Sequence, residues 1–197
     1  DPKPEHLCHS ALMARVYSRE VLGVQNPTVG LLNIGEESSK GGGFVKEIHK
    51  LMEDRVVNFI GNVEANELFS GRADCIICDG FVGNVVLKMC ESMVETALSL
   101  LSRELKKNPI SILGAWLCQP ALNAIRRETN YEEAGGAPLL GVNGRVIISH
   151  GISSARAIRN AIRVAGETVS RRVNERIVEQ ISNGNVRSGN AGVRKTG

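Results

Sequence analysis

The sequence predicts an α/β fold, a mostly parallel sheet held between helices as a three-layer α/β/α sandwich. Two observations carry that reading. Short apolar, strand-like runs alternate along the chain with stretches of helical periodicity. Glycine-bearing polar turns follow strand-like runs and lead into helices, as in Cys75–Lys88 (CIICDGFVGNVVLK) and after Val29–Ile34 (VGLLNI). A third observation bears on what the fold is for. Asn33, Glu36, Lys40, Asp79, Asn84, Lys88 and His150 gather at these junctions, which predicts one shared cleft.

Taken in order, residues 4–22 open with Pro4 and Glu5 and space Leu7, Ala11, Ala14 and Val21 as a helix that Gly23 ends. Val29–Ile34 follows Pro27 as a buried strand. Gly35–Gly43 is polar and glycine-rich, and a helix follows near Phe44–Asp54. Such a loop is either a flexible linker or a ligand-facing lid. Its place at the carboxyl end of a strand favours the lid. Val56–Ile60 reads as a third strand and Glu64–Phe69 as a short helix opened by Asn62. Cys75–Cys78 is the fourth strand, and the helix after it carries Val82, Val86, Met89, Met93, Ala97, Leu101 and Leu105 on one stripe.

Asn108-Pro109 breaks that helix, and a second helical stretch, Ile110–Glu128, returns as a hairpin. Its Ile110–Cys118 portion is apolar, carries Trp116, and is flanked by Lys106, Lys107, Arg126 and Arg127. Core, dimer interface and a tip lying in a membrane surface all remain open for it. Gly135–Gly144 is another glycine-dense loop, and Arg145–Ser149 is the last strand, ending in Ser149-His150-Gly151. A final helix, capped by Ser153 or Ser154, runs with Ile158, Ile162, Ala165, Val169, Val173, Ile177 and Ile181 on one face. Residues 1–182 thus read as one α/β domain, and 183–197 as a disordered basic tail.

The chain has 197 residues, 42% hydrophobic and 23% charged, enough for one sizeable core. No apolar run reaches the ~20 residues of a membrane span. The opening DPKPEHLCHS is no signal peptide, so a cytoplasmic protein is expected. Net charge is +3, with nine basic and three acidic residues falling in 156–197. No aromatic residue is interleaved there, so those arginines read as a solvated face rather than a nucleic-acid surface. The five cysteines include a Cys75-x-x-Cys78 pair, but residues three apart in a strand point to opposite faces. No second pair completes a zinc site, and no metal is expected.

The stretch Asp79–Lys88 is the strongest chemical signal. Gly80 and Gly83 let a ligand approach the main chain, and a helix start offers unpaired N–H groups and the positive end of its dipole. Lys88 lies one turn past Asn84, so the two share a face. The stretch is neither G-x-x-x-x-G-K-[ST] nor G-x-G-x-x-G. An anion pocket and an ordinary strand-to-helix turn stand level on these residues alone.

Five segments together carry a resemblance. LLNIGEE with Lys40-Gly41, ANEL (Ala65–Leu68), CDGFVGNVVLK (Cys78–Lys88), GGAPLLG (Gly135–Gly141) and SHG (Ser149–Gly151) stand in an order and spacing that resembles PlsX-type phosphate acyltransferases. The resemblance covers Pro4 to about Ile181. It implies an enzyme of bacterial phospholipid synthesis that converts acyl-acyl-carrier protein and inorganic phosphate to acyl phosphate. It also implies an isocitrate-dehydrogenase-like, phosphotransacetylase-like fold, a homodimer, and no metal or organic cofactor. In that family the hairpin, here about Glu91–Thr129, helps pair subunits and can touch the membrane, where a membrane glycerol-3-phosphate acyltransferase is a potential partner.

Two departures stand out. Family chains have a further N-terminal half, so this chain reads as the C-terminal portion of one. Ser38-Ser39 also replaces a more acidic pair, and Gly41-Gly42-Gly43 loosens the loop.

The resemblance further suggests roles. Lys88 and the N–H groups of Gly80, Gly83 and Asn84 would hold phosphate, and Asp79 would orient Lys88 or the loop N–H groups. Asn33, Asn84 and the glycines Gly35, Gly41, Gly135 and Gly136, with Asn143, would bind the carbonyl or the phosphopantetheine arm. Glu36 and Glu37 would orient Lys40 or stay solvated. His150 would orient phosphate or protonate the leaving thiolate, unless it serves only to cap loop carbonyls. No cysteine has the basic neighbourhood of a covalent acyl carrier. Two alternatives remain: a phosphotransacetylase-like enzyme using coenzyme A thioesters, and a non-catalytic membrane-associating module.

Overall fold

The computed structural model describes residues 2–128, 135–149, 151 and 153–190, and the chain divides into two compact units. The first unit comprises residues 1–79, 138–147 and 165–197, and the second 80–137 and 148–164.

In the first unit, helix α1 (Pro4–Glu20) starts on Pro4, whose fixed φ suits a first helical position. Gly23, at φ +78, follows the helix end in the left-handed conformation that glycine takes without strain. Strand β1 (Val29–Leu32) leads through the loop to helix α2 (Gly43–Arg55), then to strand β2 (Phe59–Val63). A single 3-10 turn, Ala65–Glu67, precedes strand β3 (Cys75–Ile77). The three strands form one parallel sheet in the order β2-β1-β3, with Leu31 opposite Asn62 on one side and Ile77 on the other.

The core of this unit is the face that α1 and α2 lay on the sheet. Leu7, Cys8, Ala11 and Leu12 of α1 meet Val29 and Leu31 of β1, Ile77 of β3, and Ile48 and Met52 of α2. Val29, Gly30 and Leu31 are all buried, as expected of the central strand of a parallel sheet. Gly30 is required there, because a Cβ at that position would overlap the Val63 side chain. Between β1 and β3 the entry is pinned by Asp74, whose Oδ2 accepts from the Thr28 N–H at 2.8 Å and hydroxyl at 2.7 Å. Helix α7 (Val173–Asn190) adds Val173 and Ile177, which pack with Val16 of α1. The Glu20 carboxylate accepts from Arg19 and Arg176, which fixes the end of α1 to α7.

The second unit begins with helix α3 (Gly80–Leu105) and continues through α4 (Pro109–Leu117) and α5 (Gln119–Glu128). Asn108 caps α4, its Oδ1 accepting from the Ser111 N–H at 2.8 Å, and Pro109 takes the first helical position. Helix α6 (Ala155–Ser170) begins in this unit, with the Ser154 hydroxyl accepting from the Ala157 N–H at 3.3 Å. Ala157, Asn160, Ala161 and Val164 are its buried residues here.

Several sequence expectations are corrected. The third strand is Phe59–Val63 rather than Val56–Ile60, because α2 runs on until the Val56 N–H closes on Met52 and Asn58 turns the chain at φ +61. Asn62 therefore lies inside β2, and Glu64 rather than Asn62 caps the following turn. The Arg145–Ser149 strand shortens to β5 (Ile147–Ile148), which pairs with β4 (Ala137–Pro138) in a sheet of two strands instead of extending the parallel one. The single final helix is two, broken where Arg172 takes φ +53. Helical backbone continues to Asn190, past Ile181 where the apolar spacing stops. Residues 129–134, His150 and 191–197 lie outside the described residues, and with them the last residue of the hairpin and the end of the basic tail.

Candidate functional site

A parallel sheet sends the carboxyl ends of all its strands to one edge. Strand order β2-β1-β3 also reverses direction at β1, and the edge between β1 and β3 is where open α/β sheets bind ligands. Asn33 and the Gly35–Gly41 loop leave β1 at that edge, and Asp79 follows β3 there.

The loop is shaped from three directions. The Asn33 side chain bridges it at its base, Nδ2 donating to the Lys40 carbonyl at 3.1 Å and Oδ1 accepting from the Ile34 N–H at 2.8 Å. Buried Asn62 reaches across from β2, donating to the Glu37 carbonyl at 2.8 Å. The Lys40 N–H returns to the same carbonyl at 3.0 Å. Arg72, at the approach to β3, places Nη1 2.7 Å from Glu36 Oε1 and 2.5 Å from Glu67 Oε1. Gly41 holds φ +83, and a Cβ on it would stand 2.8 Å from Asn33 Oδ1. At Gly35 a Cβ would press on the Lys40 side chain, 2.8 Å from its Cγ.

These contacts revise two expected roles. Glu36 does not orient Lys40; its carboxylate is taken by Arg72. Lys40 is exposed and makes no ion pair among the described residues, so it is a cation of this loop with capacity for an anion. Asn33 spends both ends of its amide on the loop backbone. The electrostatics follow from the same bonds. Arg72, then the Glu64 N–H, hold the Glu67 carboxyl below its usual range, and Glu67 and Glu36 raise the Arg72 guanidinium further. Asp74 is likewise lowered, by the Thr28 N–H and then its hydroxyl. Burial pushes the Cys8, Cys75 and Cys78 thiols up, which opposes thiolate chemistry.

In the second unit, α3 begins at Gly80. Gly80 and Phe81 stand in the first turn, where N–H groups have no intrahelical acceptor, whereas the N–H of Asn84 meets the Gly80 carbonyl in the helical ladder. Of the three N–H groups the sequence suggests, at Gly80, Gly83 and Asn84, that of Gly80 stands in the open first turn. Lys88 is paired within the same helix. Its Nζ bonds Glu91 Oε2 at 2.9 Å, and its side chain is 58% exposed. An exposed pair at this spacing is worth at most about 0.5 kcal/mol, so a phosphate dianion can compete for that ammonium.

Gly135 and Gly136 take φ +79 and +130. Gly135 lies against α6, where a Cβ would come within 2.5 Å of the Asn160 backbone, and its carbonyl accepts from the Ser149 hydroxyl at 3.0 Å. In the first unit, the turn holding Asn143 is tied to α7 by Asn174, which donates to the carbonyls of Val142 and Gly144 at 3.1 and 2.8 Å. His150, a sequence-predicted acid or phosphate ligand, lies outside the described residues. Among the described residues no cluster of three metal-ligating side chains is present.

The family profile for the fatty acid synthesis protein matches residues 1–176. The chain belongs to that family. Among curated proteins it is similar to the phosphate acyltransferase of Dictyoglomus turgidum, 48% identical over 92% of this chain and 54% of that protein. The phosphate acyltransferase of Desulforudis audaxviator is 51% identical over 86% of this chain and 50% of its own length, and that of Aquifex aeolicus 44% over 90% and 53%. This member of the fatty acid synthesis protein family thus spans about half the length of the curated relatives it matches.

Arg72, Asn62 and Glu67 belong to the site's framework, yet sequence reasoning singled out none of them for it. Their signal was weak: ANEL marks Glu67 only as part of a motif, and nothing local says that Arg72 reaches back to Glu36.

Proposed function

We propose that this chain is part of a phosphate acyltransferase that moves an acyl group from acyl-acyl-carrier protein to inorganic phosphate, releasing acyl phosphate and free carrier protein for phospholipid synthesis. The observation that carries this is identity of 44–51% to proteins named phosphate acyltransferase over most of the chain. The glycine loop at the β1/β3 edge, with a Lys40 that makes no ion pair among the described residues, is the geometry expected of an oxyanion site.

Phosphate near neutral pH is already a nucleophile and needs capture, alignment and relief of charge on the thioester oxygen. In this reading a phosphate oxygen attacks the thioester carbonyl, a C–O bond forms, the C–S bond breaks, and the thiolate leaves and takes a proton. Lys88 exchanges Glu91 for phosphate, and the Gly80 and Phe81 N–H groups share its charge. Lys40 is the cation that the first unit's loop offers to an anionic group of the substrates. Asn33 fixes the loop, Asn84 offers its amide to the carbonyl, and His150 supplies the proton to sulfur. Gly135 and Gly136 of the second unit, and Asn143 of the first, are further candidates for contact with the substrates.

The fuller architecture in this reading is the isocitrate-dehydrogenase-like three-layer sandwich, assembled as a homodimer in the cytoplasm and touching the membrane peripherally. Support for the last point comes from α3–α5. None of α3's residues is buried; Ile110 is 84% and Trp116 68% exposed; and Leu98, Leu101, Leu105, Ile112 and Trp116 line an open apolar groove. Among the described residues no helix is long and apolar enough to cross a membrane.

The test is direct. Full-length protein is incubated with acyl-carrier-protein thioester, with and without phosphate. Thiol release that depends on phosphate and yields acyl phosphate supports the reading; release without phosphate, or preference for coenzyme A thioesters, overturns it.

A further inference from the structure

We infer that Arg72 is a positioning residue: its guanidinium clips the Gly35–Gly41 loop, through Glu36, to the Ala65–Glu67 turn and so holds the loop in the shape that meets substrate. The inference rests on the proposed reading of that loop as part of the acyl-transfer site.

The geometry is that of one donor shared between two carboxylates from different connections. Arg72 Nη1 reaches Glu36 of the β1–α2 loop and Glu67 of the turn after β2. Glu67 is itself immobilised, because its second oxygen accepts from the Glu64 N–H at 3.0 Å. The Arg72 backbone is held as well, its N–H donating to the Ser70 hydroxyl at 3.2 Å while that hydroxyl donates to the Glu67 carbonyl at 2.8 Å. A guanidinium with both ends of its reach fixed acts as a strut. Glu36 is more than half exposed and has nothing else to hold it at that position among the described residues.

The strut also sorts charge. With Glu36 drawn to Arg72, one of the loop's two carboxylates is kept from Lys40, whose ammonium makes no ion pair among the described residues. Asn33 and Asn62 hold only backbone groups, the Lys40 and Glu37 carbonyls and the Ile34 N–H, so neither can place the Glu36 side chain. Two exposed or half-exposed ion pairs contribute too little to matter for global stability. They are of the size that tips a short loop between a few conformers, and a loop populated only part of the time in its competent shape raises apparent KM by that fraction.

The experiment uses full-length protein and four variants: Arg72→Gln, Arg72→Lys, Glu36→Gln and the double Arg72→Gln/Glu36→Gln. KM for phosphate, KM for the carrier thioester and kcat are measured, with amide hydrogen exchange of the 34–41 segment beside them. Arg72→Gln is expected to raise one KM roughly fivefold, corresponding to about 1 kcal/mol, with kcat nearly unchanged. Arg72→Lys recovers part of that loss, Glu36→Gln matches it, and the double variant is no worse than either single. Exchange over 34–41 quickens while that of α1 does not change. Unchanged KM values, or single effects that multiply in the double variant, overturn the inference. If wild-type protein makes no acyl phosphate, the proposed function fails by itself. The clip is then decided by exchange alone: faster loop exchange in Arg72→Gln upholds it, and identical exchange refutes it.

Discussion

Gly135 offers the sharpest separation between a ligand-binding role and a folding role. The sequence places it among substrate-binding glycines, whereas the structure seats it at φ +79 with its Cα against the backbone of α6. Replacing it with alanine adds two costs. An L-residue in the left-handed region loses roughly 1–2 kcal/mol. The new methyl would also stand 2.5 Å from the Asn160 carbonyl carbon and 2.6 Å from the Ala161 nitrogen. Those atoms belong to a helix backbone and cannot rotate away, so overpacking of about 1–3 kcal/mol follows. The total, about 2–5 kcal/mol, lowers the melting temperature by roughly 4–20 °C for a domain of this size. Gly144→Ala is the matched control, since a Cβ there meets open space. Thermal denaturation followed by circular dichroism compares both with wild type. Should Gly135→Ala melt with the Gly144→Ala control while only substrate KM changes, the packing argument is wrong.

Three further outcomes are expected. Lys88→Ala raises the phosphate KM about 10–100-fold, the loss of one hydrogen bond to a charged group, without lowering the melting temperature by more than a degree or two; an unchanged phosphate KM removes Lys88 from the site. Asp74 is more acidic folded than unfolded, so its contribution is present above the unfolded carboxyl pKa and disappears as pH falls through the lower folded value. Urea midpoints should therefore decline on acidification below the ordinary carboxylate range, and Asp74→Asn should be weaker at neutral pH with a flatter acid limb. Trp116→Glu should abolish co-sedimentation with anionic vesicles while leaving phosphate-dependent acyl transfer in solution intact; retained sedimentation would move any membrane contact elsewhere.

The sheet was legible because buried parallel strands write continuous apolar runs, and VGLL and CII are such runs. The β2 strand was misplaced for a definite reason. Val56 and Val57 look like strand residues, but Val56 closes α2 and Asn58 turns the chain before pairing begins at Phe59. The break at Arg172 left no trace in the pattern, since Val169, Val173 and Ile177 keep helical spacing straight across it. For the site, sequence found the loops and the charges but not who pairs with whom. Glu36 to Arg72 spans thirty-six positions, and Lys88 to Glu91 competes with any pairing to Asp79. The Glu36 partner is chosen by the meeting of connections at a sheet edge, which no local window contains, whereas the Lys88 partner lies three residues along its own helix.

Helices α3 to α5 turn a broad oily surface outward. Handling of the purified chain should accordingly depend on dilution and on detergent: it should adsorb to hydrophobic resins, bind environment-sensitive dyes while fully folded, and drift toward larger species as concentration rises. Dye binding is thus a poor unfolding reporter for this molecule, and a spectroscopic signal from the β1–β3 core would serve better.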